Sequence, residues 1–449
     1  MMKKLITKPK HTYISLIAAT ALLTTIATPI SAEAQSPELQ ADASILVDMN
    51  SGVILHGDEI DTQLPVASMS KMMTEYLVNR AIDAGELSWD DEVSVTDEIA
   101  LLSQDTVLSN VFLRTDTTYT IEELYESMAI YSANGSTIAL AEAVSGSEAA
   151  FVDLMNETAS ELGLDDTVFV NSTGLNNASM QGFHPEGTDE NAENEMSARD
   201  TATLAYRLIT EYPEILDTAS IPQMQFREGT NDEITMLNWN RMLPGLGQEY
   251  DGVDGLKTGS TSRAGSAFTG TVEQDGTRLL SVVMRTESHE ERFNQTATLY
   301  DYGFEEFVET EMIAEGDQDS EHMMLEVPNG QEQEVAIAAG EQLVLPIQEG
   351  EEELYEVSFT LDPDALNEDG TIDAPIEAGQ TVGYAMVEYQ GEGDYEFLTN
   401  AHEQRQTVPV VIQEDVDRSN WFVLSMRGIG DFFSGLWNRT TETIGGWFS

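Results

Sequence analysis

The sequence predicts an α/β domain (α+β in the order of its elements) built around an antiparallel sheet flanked by helices. A small all-β domain and a C-terminal amphipathic helix follow. Three observations carry that reading. Hairpin patterns stand at both ends of the stretch from Ile45 to Met284, with runs of helical spacing between them. From about Met312 the texture changes to short Val-, Leu- and Tyr-rich runs separated by turn residues. Between Asn420 and Ser449 the chain gathers three of its five tryptophans.

The first hairpin pairs the apolar runs Ile45 to Met49 and Val53 to His56 around Asn50-Ser51-Gly52. Pro65 leads into Ser68 to Asn79, where apolar residues recur at helical spacing. The same spacing predicts helices over Ile121 to Ile130, Ser136 to Val144, Ala149 to Leu162 and Ala198 to Thr210. Ser266 to Val272 and Arg278 to Met284 flank Asp275-Gly276 and close the domain with a second hairpin. Downstream, Met324 to Val327, Val335 to Ile337, Leu343 to Leu345, Val357 to Leu361 and Val382 to Val387 read as short strands, and Pro328-Asn329-Gly330 is one of their turns. That second domain is a spacer or an interaction module, and the sequence does not choose between them.

Both ends read as addresses. Lys3, Lys4, Lys8 and Lys10 precede an apolar stretch from Tyr13 to Ile30 and the small-residue site Ala32-Glu33-Ala34, the pattern of a secretory signal peptide over residues 1–34. At the other end Phe422, Met426, Ile429, Phe433 and Trp437 share one helical face. Arg427, Asp431, Arg439 and three glycines argue against a span, leaving a helix lying on a membrane surface or one packed on its own protein. The chain divides as leader 1–34, first domain 35–311, β-rich domain 312–412, and linker with amphipathic helix 413–449. It is expected at the outer face of the cell membrane, held peripherally.

Acidic residues outnumber basic ones 81 to 20, a formal charge of −61; without the leader the ratio is 80 to 16. Nucleic acid is a poor partner for such a surface. The charge is spread evenly and salt relieves its self-repulsion, so the composition fits a saline or alkaline exterior, or an ordinary acidic secreted protein. There is no cysteine, which excludes thiol nucleophiles and disulfide scaffolds. Neither H-E-x-x-H nor G-x-S-x-G is present, so zinc peptidases and α/β-hydrolases lack their motifs, and no metal or cofactor is expected. Asp364 to Asp373 fails the EF-hand spacing and reads as a solvated acidic loop.

Beyond the leader only two lysines remain, and each opens or closes a motif. Lys71 lies three residues after Ser68 in Ser68-Met69-Ser70-Lys71, a spacing that brings hydroxyl and amine together on a helix. Lys257 begins Lys257-Thr258-Gly259. Two lysines placed at random would meet both motifs on the order of once in a thousand trials. Between them stands Ser132-Ala133-Asn134, the one Ser-x-Asn of the chain.

In the order S-x-x-K, S-x-N, K-T-G these motifs resemble the serine β-lactamase and penicillin-binding protein superfamily. Pro65 to Lys71, Asn171-Ser172-Thr173-Gly174-Leu175, Ser197-Ala198-Arg199-Asp200 and Val253 to Gly259 look like D-alanyl-D-alanine carboxypeptidases of the penicillin-binding protein 5 type, whose β-rich second domain and amphipathic C-terminal helix match the order read above. The resemblance implies a serine β-lactamase-like transpeptidase domain that removes the terminal D-alanine from peptidoglycan pentapeptides and is acylated by β-lactam antibiotics. It implies Ser68 as nucleophile, Lys71 as its base, Ser132 as proton relay and Asn134 as the group orienting the substrate amide. Lys257, Thr258, Gly259 and Arg292 would hold the substrate's terminal carboxylate, and the N–H groups of Ser68 and Ser260 would form the oxyanion hole. For Lys71 to act, burial and the charge of Lys257 must lower its proton affinity against the acidic background. The alternatives are a β-lactamase, for which no segment clearly supplies the extra glutamate, and a non-catalytic envelope protein, against which the complete motif set argues.

Overall fold

The computed structural model describes residues 36–319, 324–391, 396–403 and 406–427; the leader and residues 428–449 lie outside the described residues. Strand β1 (Ala43–Asp48) turns back into β2 (Ile54–Asp58), as the first hairpin pattern predicts. Three two-stranded ribbons then lie among helices: β3 (Leu64–Pro65) with β6 (Glu195–Met196), β4 (Glu92–Ser94) with β5 (Thr118–Thr120), and β7 (Gln223–Phe226) with β8 (Ile234–Leu237). The helices are α1 (Lys71–Asp83), α2 (Asp97–Ser103), α3 (Ile121–Tyr131), α4 (Asn134–Ser145), α5 (Glu148–Glu161), α6 (Ala198–Glu211) and α7 (Ile215–Ala219). The chain returns to the sheet through β9 (Val253–Thr261), β10 (Gly265–Gln274) and β11 (Thr277–Thr286), and α8 (Glu291–Glu306) follows.

The main sheet runs β2-β1-β11-β10-β9, every pairing antiparallel. Alternation along a strand decides which core each residue joins. Ile45 and Val47 face the α1, α3 and α6 side together with Leu280 and Val282, whereas Leu46 joins Phe268, Leu279 and Val283 against Phe293 and Leu299 of α8. β1 is therefore buried on both faces, which is why Ile45, Leu46 and Val47 stand as consecutive apolar residues.

The all-β texture after Met312 becomes β12 (Phe307–Ile313), β13 (Met324–Glu326), β14 (Glu334–Ala339), β15 (Leu343–Gln348), β16 (Tyr355–Leu361), β17 (Thr381–Tyr389) and β18 (Thr407–Ile412). They form a sheet β13-β14-β18-β17-β16 and a ribbon β12-β15. Residues 413–419, read as the polar linker, are held to this β-rich part by the Ile376–Val416 and Gly330–Arg418 bridges, because Val416 is an apolar core residue. The same part reaches back to the main sheet. Ile54 donates its N–H to Glu396 O, Leu398 donates to Gly52 O, and Phe397 bridges Val53, so residues 396–398 pair with the start of β2 at that edge of the sheet. Arg199 clamps this contact by bonding both Asp61 and Glu396. Residues 421–427 begin the expected C-terminal helix, with Trp421 78% exposed. No helix among the described residues is long and apolar enough to cross a membrane.

Candidate active site

Ser68 sits in a 3-10 turn, Ala67–Ser70, immediately ahead of α1, and Lys71 is the first residue of that helix. The S-x-x-K spacing therefore works across a turn-to-helix junction. Ser68 is half-buried, whereas Lys71 is fully enclosed.

The second motif occupies another junction. Helix α3 is started by a reciprocal Thr120–Glu123 cap and ends at Ser132, which takes a left-handed conformation with φ 60° and hands the chain to α4 at Asn134. That sharp joint turns Ser132 and Asn134 inward. Asn134 Nδ2 donates to Ser109 O at 3.0 Å, leaving Oδ1 to accept from Lys71 Nζ at 2.8 Å. The Ser132 hydroxyl is buried and makes no hydrogen bond within the described residues, so it remains available to a guest.

The segment Asn171 to Leu175 also reaches the amine. Thr173 O accepts from Lys71 Nζ at 2.7 Å. The segment is held in place by Asn171, whose Oδ1 accepts from the N–H groups of Thr173 and Gly174, and by Glu148, which accepts from both the N–H and hydroxyl of Ser172. Gly174 has φ +79°, and a Cβ there would lie 1.8 Å from Ala67 O. The loop thus rests backbone to backbone on the nucleophile's own turn.

Lys71 Nζ lies 3.1 Å from Ser68 Oγ. Asn134 Oδ1 and the Thr173 carbonyl can only accept, so they take two N–H groups of Lys71. In a neutral amine the remaining position is a lone pair, and it faces the Ser68 hydroxyl. Burial and the charge of Lys257 hold Lys71 well below the ordinary lysine value, against the opposing pull of Glu75. The background charge of the chain is overruled locally.

Lys257 lies in β9, the strand at the end of the sheet that packs on the Ala67–Ser70 turn. Its amine is likewise buried, and burial lowers its proton affinity, with Glu75 raising it and Arg292 lowering it. A Cβ on Gly259 would lie 2.4 Å from Val66 O, so only glycine lets the K-T-G strand press against the nucleophile turn. Thr258 is nearly buried and Ser260 is exposed on the same strand. Arg292, on α8, is 3% exposed and donates from Nη1 to Gly259 O at 3.3 Å; burial and nearby Arg241 lower its pKa to about 10.

The sequence-expected residues thus fall on three elements that meet at Ser68: the α1 junction, the α3–α4 joint, and β9 backed by Arg292. Sequence reasoning missed the backbone acceptors Thr173 O and Ser109 O, which carry no side-chain signal. It also missed Glu75, a buried carboxylate on α1. Among the described residues no group of three or more His, Asp or Glu is placed to hold a metal ion.

The family model for D-alanyl-D-alanine carboxypeptidase matches residues 30–288, and that for the C-terminal domain of penicillin-binding protein 5 matches residues 307–418. D-alanyl-D-alanine carboxypeptidase DacC of Escherichia coli is 30% identical over 422 residues, covering 92% of each chain. DacF of Bacillus subtilis is 28% identical over 393 residues, covering 88% of this chain and 90% of its own. Among solved structures, a peptidoglycan synthesis regulatory factor (PBP3) from Streptococcus pneumoniae aligns with a TM-score of 0.70 at 31% identity, covering 84% of this chain and all of that one. Penicillin-binding protein D2 from Listeria monocytogenes, solved in a cefotaxime-bound form, aligns at 0.51 and 31% identity, covering 60% of this chain and 99% of that one.

Proposed function

We propose, from the premise that this chain belongs to the D-alanyl-D-alanine carboxypeptidase family, that Ser68 and Lys71 carry its chemistry. The activity is that of a serine-type hydrolase removing the terminal D-alanine from peptidoglycan stem peptides. The observation that supports the assignment is the environment of Lys71 Nζ: two acceptor-only oxygens at 2.8 and 2.7 Å and the Ser68 hydroxyl at 3.1 Å. A serine hydroxyl needs such a base to attack at neutral pH.

In the proposed course, Ser68 Oγ attacks the carbonyl of the penultimate D-alanine and its proton passes to Lys71. The N–H groups of Ser68 and Ser260 receive the oxyanion. The C–N bond then breaks, and the proton returns through Lys71 and Ser132 to the leaving amine of D-alanine. Water hydrolyses the acyl-enzyme by the same path in reverse. Asn134 orients the substrate amide, and Lys257 with Thr258, Gly259 and Arg292 receives the terminal carboxylate. β-Lactams, bound by the Listeria relative, acylate Ser68 in the same way.

The likeness to D-alanyl-D-alanine carboxypeptidases supports export to the cell envelope. We assign residues 1–34 to an export signal, 35–311 to catalysis, 312–412 with the strand-bridged 413–419 to the β-rich domain, and the residues after 419 to peripheral attachment at the membrane surface. The exposure of Trp421, Phe422 and Met426 supports the last assignment. Intact-mass analysis after penicillin treatment is expected to show one adduct that disappears in Ser68→Ala, together with loss of D-alanine release from a pentapeptide. An adduct that persists removes Ser68 from its role. Steady fast nitrocefin turnover, in place of a burst followed by slow turnover, would make the enzyme a β-lactamase.

A further inference from the structure

Five carboxylates are buried among the described residues: Asp48, Glu75, Glu148, Glu193 and Asp200. Four of them accept hydrogen bonds that hold local structure. Asp48 takes the N–H and hydroxyl of Ser51, Glu148 those of Ser172, Glu193 the Asn176 amide and the Thr261 hydroxyl, and Asp200 the N–H of Asp166 with the Thr167 hydroxyl. Glu75 differs. It is 3% exposed, no described residue donates a hydrogen bond to its carboxylate, and the groups acting on it are the two amines of the site, Lys71 and Lys257.

Helix geometry accounts for this. Glu75 stands four residues after Lys71 on α1, one turn further along the same face. The groups that face it are Lys71 from its own helix, Lys257 from β9 and Tyr125 from α3. The Tyr125 phenol is held neutral by burial and by Glu75 itself, and it also faces Glu214; Lys257 in turn faces Arg292 of α8. The next turn of α1 closes the arrangement, since Asn79 Nδ2 bonds both Glu75 O and the Tyr125 hydroxyl.

We propose that Glu75 is a positioning residue of the reaction, the buried counter-charge that keeps Lys257 cationic for the substrate's carboxylate while Lys71 stays neutral beside Ser68. The inference rests on the roles proposed above for Ser68, Lys71 and Lys257. Two amines in one water-poor site cannot both hold a proton cheaply, and a single anion balances one of them. When substrate arrives, its carboxylate becomes the partner of Lys257. Glu75 is then the anion that acts, at longer range than a direct ion pair, on the ammonium that forms on Lys71 as the Ser68 proton moves, so substrate binding strengthens the base at the moment of attack.

The test is the pH profile of penicillin acylation and of D-alanine release, measured on Glu75→Gln and Glu75→Asp. Removing the charge weakens the hold of Lys257 on its proton, so the alkaline limb of kcat/KM in Glu75→Gln is expected about one pH unit lower, carried by KM. Glu75→Asp keeps the charge and retains the wild-type limb. Coincident limbs for Glu75→Gln and the unmutated chain overturn the proposal, whereas a penicillin adduct persisting in Ser68→Ala overturns the underlying assignment instead. Should the glutamine variant fail to fold, side-chain NMR of the unmutated chain with labelled lysine reads the same coupling. Its Lys71 and Lys257 signals are expected to share an inflection as the Glu75 carboxyl, pushed up by burial, loses its proton. A Lys71 signal without that inflection overturns it equally.

Discussion

Replacing Gly174 by alanine tests whether the loop behind the nucleophile turn sets its position. The new Cβ would lie 1.8 Å from Ala67 O, 2.3 Å from Ala67 C and 2.9 Å from Ser70 Oγ, so contact at 3.0 Å requires the two backbones to part by about 1.2 Å. Either Ala67 moves and carries Ser68 with it, or the loop retreats and takes Thr173 O from Lys71. A misplacement of about 1 Å costs on the order of 100-fold in rate. Left-handed backbone strain adds ~1–2 kcal/mol and overpacking ~1–3 kcal/mol. Gly163 supplies the control, because its φ of +73° matches but its Cβ would meet nothing within 4 Å. Gly163→Ala is expected to lower Tm by a few degrees and leave the penicillin acylation rate unchanged, while Gly174→Ala loses about 100-fold in that rate. Equal acylation rates in the two variants, measured by stopped flow alongside Tm, would refute the account.

Asn134→Asp places an anion 2.8 Å from Lys71 Nζ and favours its protonated form, so the acidic limb of the acylation profile is expected to move to higher pH. An unmoved limb would take Lys71 out of the base's role. Arg292→Met removes the guanidinium behind Gly259 and is expected to raise KM for the pentapeptide about tenfold with kcat little changed; a fall in Tm with unaltered KM would make Arg292 purely structural. His56 is held between Ser36 and Ser44, and burial lowers its pKa to about 4 against the pull of Asp58. The unfolded chain takes up the proton first, so this stability is complete above about pH 6.5 and is lost as pH falls towards 4, at most about 3 kcal/mol. Thermal unfolding of His56→Gln should show a flatter dependence across that window, and a parallel one would contradict it.

The sequence announced what local pattern can announce. Both hairpins appear where Asn50-Ser51-Gly52 and Asp275-Gly276 place them, and α3 to α6 follow their apolar spacing within a few residues. Strand β9 was legible as a motif but not as a strand, because Gly255, Lys257 and Gly259 break any alternation and its place is fixed by pairing with β10. Pro409 similarly masks β18. Helix α8 was missed because its buried face interleaves polar Arg292, Gln295 and Thr296 with Phe293, Leu299 and Tyr300, which breaks the apolar spacing. In the site, side chains carried by motifs were found and backbone acceptors were not. Glu75 belongs to no motif, and only the packing of α1 against its neighbours encloses it.

The main sheet has two flanks with different fates. At one, residues 396–398 pair with the start of β2, taking the Ile54 N–H and giving an N–H to the Gly52 carbonyl. The other is β9, lying against the turn that carries Ser68. A strand at the end of a sheet offers backbone to which an extended peptide can add, and here that strand lies beside the nucleophile turn. The β-rich part therefore meets the sheet at the flank opposite the strand that carries Lys257.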